Sequence, residues 1–180
     1  MDGVLPICIG QATKISEILM QSGKIYRGAI TLGVAYDSED LDGNLIEQVP
    51  VTTPLANDQI NAALAKLTGD IMQTPPMYSA VKVNGHKLYE YARKGITIER
   101  EPRPIHIDHF KQIKPSTYDA TAKTQTIYFE VGCSKGTYVR TLAVDFGKQV
   151  GLPSVMSDLT RIKSGGLSLI HISEPTRLRR

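Results

Sequence analysis

Thr126–Gly147 reads TIYFEVGCSKGTYVRTLAVDFG, and its hydrophobic period changes half-way along. Ile127, Phe129 and Val131 alternate with Tyr128, Glu130 and Gly132, the two-residue period of a strand buried on one face. Beyond Gly136 the apolar residues fall at Val139, Leu142, Ala143 and Phe146, which is the stripe of a one-sided helix. A strand therefore passes through a short turn into a helix, and both need a core on the same side.

Upstream the same two periods recur. Ala12, Ile15, Ile18 and Leu19 predict a helix over residues 11–22, with Gly23 as its stop. From Lys24 the period is two: Tyr26, Ile30, Leu32 and Val34 share one strand face, and Arg27 and Thr31 the other. The acidic loop Asp37–Gly43 closes on an Asp-Gly turn, and a short strand is expected over Leu45–Val51. Next comes a helix with Asn57 as N-cap, a stripe of Ile60, Ala63, Leu64 and Leu67, and Gly69 at its end. Pro75-Pro76 interrupts regular structure, Asn84-Gly85 signals a hairpin, and Lys87–Lys94 reads as a short helix stopped by Gly95. A further strand is expected around Ile105–Ile113. Strands and helices mix without strict βαβ alternation, which selects an α+β fold.

The chain has 180 residues, a length that suits one domain burying roughly 70% of its unfolded surface. With 41% hydrophobic and 22% charged residues, and no apolar run near the roughly 18 residues of a membrane span, a soluble cytoplasmic protein is expected. Met1–Pro6 shows no basic region followed by an apolar one, so no secretory leader is expected. Cys8 and Cys133 stand alone without metal-ligand spacing and read as buried thiols in a reducing compartment. The net charge is +3, but Leu167–Arg180 supplies +2 of it. Charge alone therefore makes no argument for nucleic acid. Leu167–Arg177 (LSLIHISEPTR) also resembles the translation of a transposase sequencing adapter. Residues 1–166 are accordingly expected to form the folded unit, with 167–180 a foreign tail making few packed contacts.

No nucleophile elbow, zinc-binding HExxH, phosphate loop or dinucleotide fingerprint is present, and His86, His106, His109 and His171 are scattered. Two stretches are richer in functional groups than folding demands. Pro75–Arg93 (PPMYSAVKVNGHKLYEYAR) interleaves tyrosine with lysine and arginine, a mixture that stacks bases and neutralises phosphates. It reads equally as a hairpin with an amphipathic helix. In Cys133–Thr141 (CSKGTYVRT) the free N–H groups of a helix start can receive an anion, and Arg140 lies off the apolar stripe. A solvated surface arginine is an equal reading.

These two stretches resemble signature blocks of the TruB family of pseudouridine synthases. The opening GVLPICIGQATK (Gly3–Lys14) resembles the end of the family's catalytic block, and KIYR (Lys24–Arg27) its K-x-Y-R strand. The resemblance is colinear from Gly3 to about Gly166. It implies a mixed, largely antiparallel sheet flanked by helices, and isomerisation of uridine to pseudouridine at position 55 in the T-loop of tRNA. It implies no cofactor, no metal and no membrane, a monomer, and the T-arm stem-loop as partner. By this resemblance Tyr26 stacks on the flipped base and is a candidate proton acceptor, Arg140 pairs with the catalytic aspartate, Tyr138 and Leu159 line the uridine pocket, and Asp40 joins the ion network. These side chains are expected to meet in one cleft.

Two departures qualify the match. In the family loop G-x-x-T-D-T-x-D-x-x-G, Tyr36 and Ser38 stand where threonines are usual. The family block G-H-T-G-T-L-D-P-L-A-T-G is represented only by Gly3, and its aspartate lies five residues before that glycine. Asp2 is therefore not the nucleophile. The chain as written is expected to be inactive while retaining weak tRNA binding. A tRNA-binding or folding factor without catalysis, or an inert fragment, is the alternative.

Overall fold

The computed structural model describes residues 2–169. In chain order the elements are β1 (Asp2–Gly3), α1 (Ser16–Gln21), β2 (Lys24–Leu32), β3 (Val34–Tyr36), β4 (Leu45–Gln48) and α2 (Asn57–Ala65). They continue with β5 (Gly69–Gln73), β6 (Lys82–Val83), β7 (His86–Lys87), α3 (Leu88–Arg93) and β8 (Arg103–Asp119). The last are β9 (Thr124–Cys133), α4 (Val139–Val150), β10 (Ser154–Ser164) and β11 (Leu167–Ser168). One sheet runs β1-β10-β2-β9-β8-β5, with β11 folded back on β10, and β3–β4 and β6–β7 are separate ribbons. Every pairing in the sheet is antiparallel except β1 with β10. The fold is α+β, with a mixed, largely antiparallel sheet.

The two periods account for the core. Ile30 and Leu32 of β2 and Ile127, Phe129 and Val131 of β9 meet Val139, Leu142, Ala143 and Phe146 of α4, with Ile60 and Leu64 of α2 beside them. Phe110 closes edge-on against Phe129, their centroids 5.3 Å apart. Helix α4 ends at Gly151, whose φ of 72° is the left-handed stop that glycine takes without strain.

Several expectations shift. Residues 11–22 are not one helix: a 3₁₀ segment covers Gly10–Ile15 before α1, and Ile15 and Ile18 are exposed. Val34 does not continue β2, because Gly33, at φ 104°, turns the chain into β3. The N-cap of α2 is Ala56 and Asn57 is the first helical residue; Gln59 Oε1 accepts the Ala56 N–H at 2.9 Å instead. The strand expected over Ile105–Ile113 reaches Asp119, and a register shift between Lys114 and Thr117 absorbs Pro115. Strands β5 and β10 were not visible as periods. In β10 a shift between Met156 and Asp158 puts Val155, Met156 and Leu159 inside without strict alternation. Cys133 is buried, but Cys8 is only half-buried. Leu167 and Ser168 pair with Ser164 and Lys163 through the Gly165-Gly166 turn, so the tail begins as a hairpin. Ile170 and Ile172, the residues of the tail expectation, lie outside the described residues.

Candidate active site

The acidic loop is built to hold the Asp40 carboxylate in place. Asp37 accepts from the Asn44 backbone at 2.8 Å and from its side chain at 3.1 Å, closing the loop, and the Asn44 amide holds the Asp37 carboxyl below the usual range. Gly43 has no side chain because a Cβ would strike Ser38 and Asp37. Glu39 takes a left-handed φ of 65°, which throws Asp40 inward beside Met156 of β10. Ser38 donates to Asp40 Oδ1 at 2.7 Å, so a hydroxyl is kept where the family threonine stands.

Arg140, in the first turn of α4, meets this loop. Its Nη1 donates to Asp40 Oδ2 at 2.8 Å and to the Ser38 carbonyl at 3.2 Å, and its Nη2 donates to the Tyr78 carbonyl at 2.8 Å. Both partners of the ion pair are largely shielded, so this charge-assisted pair fixes geometry more strongly than a surface pair would. Nearby, Thr141 donates to Glu39 at 2.6 Å. Burial pushes the Glu39 carboxyl up, against the pull of the Thr141 hydroxyl and the Arg140 charge.

An open cavity of about 440 Å³ lies where β2, β10, the acidic loop and the start of α4 converge. Tyr26, Asp40, Tyr138, Arg140 and Leu159 all line it, with Asp158 beside them. The five residues singled out in the sequence therefore share one pocket. Tyr26 is 8% exposed, and burial pushes its phenol up, with a hydrogen bond to Arg161 pulling back. Gly28, two residues along β2, allows β10 to pass so close that a Cβ would strike the Asp158 carbonyl. Asp2 does not line the pocket; it pairs with Thr160 at the sheet edge.

Arg161, which reaches the site through Tyr26, carried no signal in the sequence. It sits opposite Tyr26 and donates from Nε to the Val4 carbonyl at 2.6 Å. Because β10 was not legible as a strand, nothing placed Arg161 near Tyr26. The Tyr-rich block makes the β6–β7 hairpin and α3, with Asn84 and Gly85 both at positive φ in the turn. Lys87 and Arg93 lie over the Tyr89 ring at 5.5 and 5.3 Å.

Residues 1–139 match the family described as TruB family pseudouridylate synthase, N terminal domain. The chain belongs to the TruB family. It is 63% identical over 169 residues to the tRNA pseudouridine synthase B of Levilactobacillus brevis, covering 94% of this chain and 56% of that protein. The counterpart in Lactiplantibacillus plantarum is equally identical, with 55% of it covered. The TruB chain thus spans about half the length of these curated relatives. In a crystal structure of a Cbf5-Nop10-Gar1 complex, 38% of one chain matches 93% of this one at 24% identity and a TM-score of 0.65, a likeness of fold. Among the described residues no helix is long and apolar enough to cross a membrane.

Proposed function

We propose that this TruB chain supplies most of the uridine pocket of a tRNA pseudouridine synthase acting on the T-arm stem-loop at position 55. The observation that carries the reading is Arg140. It is braced by the Asp40 carboxylate and two carbonyls, and it lines the same cavity as Tyr26, Tyr138 and Leu159. Three of its five N–H groups are engaged there, which leaves donors for a second carboxylate. The reaction breaks the N1–C1′ bond, turns the base and forms C5–C1′, while a proton leaves C5 and one is gained at N1. It is redox-neutral and needs no oxidant.

A flipped uracil would stack on Tyr26 against Leu159. The attacking or charge-stabilising carboxylate would come from the family block upstream of Gly3, kept ionised by Arg140. What supports that approach is the sheet edge: Gly3 pairs with Arg161, and Arg161 pairs with Tyr26. Exposed Lys82, Arg93 and Lys94 would meet phosphates, giving salt-sensitive binding by a cytoplasmic monomer.

The test compares residues 1–166 with a chain extended upstream by the G-H-T-G-T-L-D-P-L-A-T-G block, assaying pseudouridine in a T-arm stem-loop. Product is expected only from the extended chain, since loss of the carboxylate costs orders of magnitude in rate. Product from residues 1–166 would overturn the assignment of the nucleophile. An inactive extended chain that still binds RNA would favour a binding factor without catalysis.

A further inference from the structure

Two helices share a device at their start. Neither α2 nor α4 has a side-chain N-cap: the cap residues are Ala56 and Tyr138, both in extended conformation. In each case a buried glutamine grips the backbone there by both ends of its amide. Gln125, 1% exposed, accepts the Leu55 N–H at 2.8 Å and donates to the Leu55 carbonyl at 2.9 Å. Gln73, 2% exposed, accepts the Tyr138 N–H at 2.8 Å and donates to the Tyr138 carbonyl at 3.1 Å. A primary amide is the one side chain that copies the donor–acceptor pair of a peptide, so each clamp acts as a single rung of sheet.

The clamps differ in what they hold. Leu55 lies away from the pocket, whereas Tyr138 lines it and Arg140 follows two residues later. Gln73 is the last residue of β5, and five residues on the Tyr78 carbonyl accepts from Arg140. Segment 73–78 is thereby tied to residues 138–140 at two points. We infer that Gln73 is a positioning residue of the uridine site: it fixes the Tyr138 backbone, and through it the stretch of pocket wall that Tyr138 supplies and the guanidinium that faces Asp40. The inference rests on the function proposed above.

The charge and size of the pocket do not depend on Gln73, since its amide is spent on Tyr138. Its loss moves groups rather than removing them. A misplacement of about 1 Å near a reacting centre costs about 100-fold in rate. Gln125→Ala breaks the equivalent clamp away from the pocket and is the matched control.

The experiment uses the full-length chain carrying this segment, with Gln73→Ala, Gln73→Glu and Gln125→Ala, in single-turnover reactions on a T-arm stem-loop. Partial unfolding lowers the amplitude at an unchanged rate, whereas misplacement lowers the rate at full amplitude. Gln73→Ala is expected to slow the rate 10- to 100-fold with little change in stem-loop affinity, and Gln125→Ala to leave the rate unchanged at a similar loss of melting temperature. In Gln73→Glu the ionised carboxylate cannot donate to the Tyr138 carbonyl, so its rate relative to wild type should recover as pH falls and the group protonates. Hydrogen exchange is read in parallel: the Tyr138–Leu142 amides should lose protection in Gln73→Ala and keep it in Gln125→Ala. Equal rates for Gln73→Ala and wild type, or amplitude loss alone, would overturn the inference. If the wild type makes no pseudouridine, it is the proposed function that fails, and unchanged exchange at Tyr138–Leu142 in Gln73→Ala would still overturn the clamp.

Discussion

Helix α4 buries Val139, Leu142, Ala143 and Phe146 against the sheet, whereas Ile15, Ile18 and Met20 in and around α1 lie exposed. Both segments carry apolar residues at helical spacing, and both are short. The difference lies in what faces them. Strands β2 and β9 offer α4 a continuous apolar surface of Ile30, Leu32, Ile127 and Phe129. Among the described residues α1 has no such surface; of its apolar residues only Leu19 is half-buried, at a cavity it shares with Leu5 and Cys8. A hydrophobic stripe states what a helix can bury, and core forms only where a second element supplies the other half.

The largest effect expected from this contrast is on stability. Phe146 is fully buried between α4 and the sheet, so Phe146→Ala should cost about 3–5 kcal/mol through lost transfer energy and the cavity left behind. Chemical denaturation of residues 1–166 measures it. A loss below about 1 kcal/mol would mean that α4 is not the centre of the core.

The next effect is on chemistry. Arg140→Lys keeps the charge but loses the fork that reaches Asp40, Ser38 and Tyr78 together. In the chain extended upstream of Gly3, turnover should fall about 100-fold, as for a misplaced catalytic group. Arg27→Lys is the control, since Arg27 is half-exposed and its pair with Glu130 lies away from the pocket. Equal activity of Arg140→Lys and wild type would separate the ion pair from the reaction.

A smaller effect depends on pH. Burial raises the Glu39 carboxyl above its ordinary 4.5, so its contribution to stability is full below pH 4.5 and fades as pH rises through the raised value. Glu39→Gln does not titrate and can still accept from Thr141. Its melting temperature should therefore match wild type at low pH and gain on it as pH rises above 4.5. A gap that is constant with pH would show that Glu39 ionises without penalty beside Arg140.

What could be read from the sequence follows the same contrast. The strand and helix of Thr126–Gly147 were legible because period and burial coincide there, and the colinear TruB blocks pointed to one pocket for Tyr26, Asp40, Tyr138, Arg140 and Leu159. Strand β10 was not legible, because its bulge at Ser157 breaks the alternation, and Arg161 was lost with it. Gln73 and Gln125 were not legible either. A glutamine that clamps backbone across about 65 or 70 residues has no local pattern, and only the fold brings its partner within reach. The tail stands between these cases: its first two residues pair with β10, which composition could not foretell.

The smallest effect returns to α1. Ile18 is 67% exposed in the described structure, so Ile18→Ser removes little buried area. The contact term at about 25 cal/mol per Å² is then nearly nil, and serine costs only a few tenths of a kcal/mol in helix propensity. Ile18→Ser in residues 1–166 should therefore change stability by no more than about 0.5 kcal/mol, as at other exposed sites. Denaturation midpoints measured beside Phe146→Ala decide it, because both variants shorten an apolar side chain on a helical stripe. A loss above about 1 kcal/mol for Ile18→Ser would mean that α1 is packed in solution, and the contrast with α4 would collapse. A loss that appears only in a longer chain would instead show that residues outside this segment supply the missing half of the interface.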